Sequence, residues 1–91
     1  MGELYVTTRT GRDESGSEYR YAYSILIGEM MVNGQFACES YGVRVREQGS
    51  GEEAAIPNIT TSISRIDGLM ELLTRNLVTP CTLADVVADW L

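Results

Sequence analysis

The chain has 91 residues, with 13 acidic side chains against 7 basic ones and a formal charge of −6. Every cation is an arginine, since lysine and histidine are both absent. A chain of this length fits one domain with one modest core, burying about two-thirds of its unfolded surface. The acidic balance argues against a nucleic-acid duplex or an anionic membrane as a general partner.

At the start, Glu3 and the polar residues from Thr7 to Ser17 do not resemble a signal peptide. No apolar run approaches the ~18 residues that span a bilayer, so the expected location is the cytoplasm. Leu4 to Arg9 is rich in Tyr, Val and Thr and predicts a short strand. Thr10 to Ser17, with Gly11 and Gly16, predicts a loose connection.

Between Glu18 and Val32, Tyr19, Tyr21, Tyr23, Ile25 and Ile27 alternate, which puts them on one face of a long strand. Asn33-Gly34 then predicts a type I′ turn, because both residues tolerate positive φ. A two-residue turn would pair Met31 with Phe36 and Tyr23 with Arg44. That register sends Tyr41, Val43 and Val45 to the face opposite Tyr23 and Ile25. A β-bulge at Gly28, Gly42 or within Cys38 to Ser40 would realign them.

The third strand should end near Glu47, followed by a polar loop from Gln48 to Glu53 with too few apolar groups to pack. Ala55 to Thr61 contains Pro57, which lacks a ladder donor and allows at most a short edge strand.

Ile66, Leu69, Met70, Leu73 and Leu77 recur at helical spacing, with Arg65, Gly68, Glu71 and Arg75 opposite them. The cap falls among Thr61, Ser62 and Ser64, and Ser64 with Asp67 has capping-box spacing. Pro80 requires the helix to stop before Thr79. A second stripe, Leu83, Val86, Val87 and Trp90, predicts another helix. Thr82 and Asp85 would form its capping box and Cys81 a staple on Val86. Because the apolar residues run to the end of the chain, Trp90 is expected to dock onto the sheet or the first helix.

Leu77-Val78-Thr79-Pro80, Leu83-Ala84-Asp85-Val86-Val87, Asp89-Trp90-Leu91 and, upstream, Tyr41-Gly42-Val43 resemble a family of small, functionally uncharacterised bacterial proteins, found mainly in Firmicutes. Relatives often carry a histidine where this chain has Thr82, so no role of that histidine carries over. The resemblance implies a bacterial cytoplasmic protein and supplies no activity.

Catalytic chemistry has little to stand on. Without His there is no Ser–His or Cys–His pair, and without Lys no Schiff base or phosphate-loop lysine. Asp85 and Asp89, at i and i+4, are too few for a cation cage. Cys38 and Cys81 are expected to be free, buried thiols. The remaining candidate surface combines Tyr19, Tyr21 and Tyr23 with Arg20, Arg44 and Arg46, since aromatic faces and guanidinium forks together recognise bases or phosphorylated groups. Tyr21, Tyr23, Arg44 and Arg46 are the residues singled out, against the alternative that the tyrosines simply line the core.

The sequence therefore predicts an α+β fold: an antiparallel sheet of three to four strands with two C-terminal helices packed on one face. The expected function is a non-catalytic interaction or regulatory protein, with a protein partner or a second copy of itself and no cofactor or metal. The alternative is a module that holds an anionic small molecule between Arg and Tyr side chains. The acidic second helix, with Asp85 and Asp89, is not expected to read DNA.

Overall fold

A computed structural model describes residues 2–32, 34 and 36–91. Four antiparallel strands, β1 (Gly2–Arg12), β2 (Glu18–Val32), β3 (Phe36–Glu47) and β4 (Glu53–Thr60), pair in the order β1-β2-β3-β4. Helices α1 (Ile63–Arg75) and α2 (Leu83–Trp90) follow and pack on one face.

The alternating stripe forms one strand from Glu18 to Val32, 15 residues long. At about 3.3 Å per residue it accounts for nearly all of the 53 Å long axis of the molecule. Tyr23 and Ile25 lie on the same face as Tyr41, Val43 and Val45, because β2 and β3 pair Tyr23 with Val45 and Ile25 with Val43. The shared face is as expected, but the expected bulge at Gly28, Gly42 or Cys38 to Ser40 is absent from this pair. The ladder runs without a shift from Tyr21–Glu47 to Val32–Phe36, leaving three residues between the last paired positions. The extra residue needed for alignment therefore sits in the connection and not within either strand. Gly34 there has φ +69°, the left-handed region that glycine enters without penalty. The expected type I′ geometry also depends on Asn33, which lies outside the described residues.

The register does shift on the other side of β3, where Tyr41–Thr60 gives way to Val43–Ile56. Two extra residues of β4, around Pro57 and Asn58, are accommodated opposite Gly42. A side chain at 42 would begin 2.6 Å from the Pro57 Cα, so this close backbone approach needs glycine. Another shift between Tyr5 and Thr7 sets Val6 out of the β1–β2 ladder.

Two connections are more ordered than their composition suggests. β1 continues to Arg12, and only 13–17 separate it from β2. Asp13 organises that turn: its Oδ1 accepts from the Ser15 N–H (3.0 Å), the Ser15 hydroxyl (2.6 Å) and the Ser17 N–H (2.9 Å). The second carboxylate oxygen accepts from the Tyr19 hydroxyl at 3.0 Å. Glu47 does the same for 48–52, accepting from the Gly49 N–H at 3.1 Å and from both the N–H and hydroxyl of Ser50. In each turn a carboxylate takes the place of a backbone carbonyl as acceptor, Asp13 in the manner of an Asx turn.

The α1 stripe buries Ile66, Leu69, Met70 and Leu73 and leaves Arg65, Gly68, Glu71 and Arg75 exposed, as its periodicity predicts. Ser62 is the N-cap and accepts from the Arg65 N–H at 3.3 Å; the Ser64–Asp67 box is not made. Leu77 is not the last residue of the stripe. The helix ends at Arg75, and the Val78 N–H bonds to Leu73 O (3.0 Å) while the Leu77 N–H bonds to Thr74 O (3.3 Å). This is a Schellman ending, with Leu77 at φ +51° in the position that usually takes glycine. Its side chain lies against Gly11 of β1, a contact that glycine at 77 would lose.

α2 starts where expected, but Thr82 is not used as a capping side chain. Its hydroxyl turns back to Thr79, accepting from the Thr79 N–H at 3.2 Å across the Pro80 turn. Cys81 is exposed, so it is neither a staple nor a buried thiol; Cys38 is half-buried, and both are free. Trp90 is partly buried against the core and lies under the Arg65 guanidinium, 4.5 Å from its ring centre. Leu91 beyond it is 72% exposed.

Candidate functional site

Alternation along β2 and β3 puts Ala22, Ser24, Arg44 and Arg46 on the face without helices. Arg44 crosses that face. Its Nη1 donates to Glu3 Oε1 of β1 at 2.7 Å, and its Nε donates to Glu53 Oε2 of β4 at 3.0 Å, joined there by Nη2. Between Arg44 and Glu3 lies β2, where Arg44 pairs with Ser24 and Glu3 with Leu26. One side chain thus ties three strands together, and both carboxylates raise its pKa further. Exposed Arg46, with Tyr5, Ala22 and Gln48, lines a shallow hollow of about 390 Å³ around this tie.

Tyr21 and Tyr23 lie on the opposite side. Tyr23 is fully buried, and its hydroxyl donates to the Val78 carbonyl at 2.8 Å, satisfying a carbonyl of the α1–α2 connection. Burial pushes its pKa up to about 12. The four singled-out residues are therefore not brought together: the sheet separates the two arginines from the two tyrosines, and one tyrosine is core.

Tyr19 and Tyr21 instead meet carboxylates. At the end of the sheet near the Pro80 turn they line a recess of about 310 Å³ with Glu47, Glu52, Pro80 and Cys81. Hydrogen bonds from Ser50 and Gly49 hold the Glu47 carboxyl below its ordinary pKa. Burial, then the charge of Glu47, raises Tyr21. The Cys81 thiol donates to Glu52 Oε1 at 3.4 Å, and that carboxylate raises the thiol's pKa. Cys81 accordingly stays protonated at neutral pH and is a poor nucleophile.

A second recess, about 460 Å³, runs between β1 and α1 and is lined by Leu4, Val6, Ile25, Asp67, Met70 and Glu71. α1 lies over β2, β3 and β4, and β1 is the sheet edge beyond them. Leu4 and Val6 are consequently 55% and 40% exposed, while Tyr5, paired with Ser24 and turned to the face without helices, is 60% exposed. No periodicity marks Leu4 and Val6, because their exposure depends on where α1 stops.

A family model described as a family of unknown function (DUF6514) matches residues 3–91. The chain belongs to this family. The match includes β1 and the first hairpin as well as the C-terminal two-thirds that carry the sequence resemblance. No curated protein and no solved structure matches the chain. The DUF6514 description carries no activity. Among the described residues, no group of three or more His, Cys, Asp or Glu side chains could hold a metal ion, and Asp85 and Asp89 are simply exposed on α2. No described helix is long and apolar enough to cross a membrane.

Proposed function

We propose that this protein acts as an interaction module, with no catalytic role, and that its binding surface is the β1 edge together with the recess beside α1. The observation that carries this is the exposure of Leu4, Tyr5 and Val6, three consecutive large apolar side chains, on the outer strand of a sheet. An outer strand offers unpaired N–H and C=O groups, and an extended partner segment adds to such an edge while alternate side chains enter adjoining pockets. The Val6 irregularity fixes where the added segment must break step. Asp67 and Glu71 on the α1 wall favour a segment with basic residues beside its apolar ones.

An anion held between arginines and tyrosines has less support. Arg44 already pairs with Glu3 and Glu53, and Tyr21 and Tyr23 occupy the other face.

The test is capture of partners by wild type and by Leu4→Lys, alongside solution mass by light scattering. The substitution sits on an exposed side chain, so stability should change by no more than about 0.5 kcal/mol. The expected result is that a partner, or a second copy, retained by wild type is lost from Leu4→Lys. Equal retention by both proteins would overturn the β1 edge as the surface.

A further inference from the structure

We propose that the recess formed by Tyr19, Tyr21, Glu47, Glu52, Pro80 and Cys81 receives a cationic side chain, the guanidinium or ammonium head of a basic residue on a protein partner. The tyrosines sit at i and i+2 on one strand face, so their rings are neighbours. Aromatic faces attract a cation through their quadrupole, more strongly where water is partly excluded. Pro80 adds an apolar surface to the lining, and the recess of about 310 Å³ has room for one side-chain head.

Charge decides the sign of the guest. Glu47 is fixed by its hydrogen bonds to Gly49 and Ser50 and remains ionised. Glu52 adds a second negative charge, shared only with a weak thiol donor. No arginine lines the recess. In the ladder Tyr21 pairs with Arg9 on the β1 side and with Glu47 on the other, which leaves the carboxylate side for an incoming cation. An anion would face two carboxylates, whereas a cation is drawn in by a chain carrying −6. The tyrosine stripe thus favours a basic ligand, the opposite of what its sequence proximity to arginines suggests.

This deepens the interaction reading by naming what a partner must present, and it uses a surface separate from the β1 edge. The experiment is titration of the full chain with N-acetyl-arginine amide, followed by backbone amide NMR at constant ionic strength. N-acetyl-citrulline amide, nearly the same shape without the charge, is the control. Saturable shifts confined to Ser50, Glu52, Thr79 and Cys81 are expected from the arginine compound and none from citrulline. Glu52→Gln keeps an acceptor for Cys81 and should weaken binding by about tenfold, with an unchanged melting curve showing that the fold is intact. Equal shifts from citrulline, shifts spread over Asp67, Asp85 and Asp89, or an unaffected Glu52→Gln would each overturn the proposal. Leu4→Lys should leave these shifts intact, so failure here and failure at the β1 edge are distinguishable.

Discussion

The two faces of this sheet are made from the same strands by opposite means. On the helix side, Tyr23, Ile25, Val43 and Val45 are sealed by Leu69, Met70 and Leu73, and stability comes from apolar area removed from water. On the bare side, Ser24 is buried beside Arg44, its ladder partner, and ion pairs reach across from strand to strand. Alternation alone puts residues with such different roles next to one another in sequence. Arg44 and Val45 are neighbours in the chain, yet the first side chain pairs with Glu3 and Glu53 and the second is buried in the core.

The largest expected difference is in truncation. Leu73→Ala empties a fully buried site and should cost about 2–5 kcal/mol, a large part of the roughly 5–10 kcal/mol available to a fold of this size. The same change at Leu26, half-buried on the bare face, should cost about 1 kcal/mol. Urea denaturation of both variants checks the comparison, and equal losses would break it.

Next comes Tyr23→Phe, which deletes the hydroxyl bonded to Val78 O and leaves that carbonyl without its donor. A loss of about 1–2 kcal/mol is expected. The hydroxyl also gives the core a sensitivity to alkali. Its folded pKa of about 12 lies above the ordinary 10, so between these values the folded chain holds a proton that the unfolded chain has released. Stability from this group is therefore complete below pH 10 and declines as pH rises towards 12. Subtracting the Tyr23→Phe profile from that of wild type should isolate the decline, and a flat difference would show that Tyr23 is not responsible.

The smallest effect belongs to Arg44→Ala. Its partners are partly exposed, so a loss near 1 kcal/mol is expected, shrinking as salt is added. A loss comparable to that of Leu73→Ala would mean that the ion-paired face contributes as much as the apolar one.

Where a regular period governed the outcome, the sequence was readable. The bounds of β2 and the buried stripe of α1 follow from unbroken periods of two and 3.6. The conflict between Tyr23 and Val45 correctly demanded an extra residue, but residue counting cannot separate a bulge from a longer connection. The division of the candidate site was implicit as well: once Val45 shares a face with Tyr23, Arg44 and Arg46 must take the other. The turns at 13–17 and 48–52 were harder, because glycine and serine content signals mobility and hides a single carboxylate able to gather several N–H groups. The recess at Tyr19 and Tyr21 needed Glu47, Glu52 and Pro80 to converge from distant segments, which no local pattern encodes.

The 15-residue strand β2 also governs how the molecule travels through solvent. With extents of 53 × 23 × 18 Å and a radius of gyration of 14.1 Å, it is more drawn out than a compact chain of this length, for which about 12 Å is expected. Its friction is correspondingly high. On a sizing column calibrated with spheres, a monomer will elute early, towards the position of a larger species, and will sediment slowly for its mass. Elution volume would thus simulate self-association in a protein whose β1 edge makes self-association a live question, and only a shape-independent mass can separate a long monomer from a true pair.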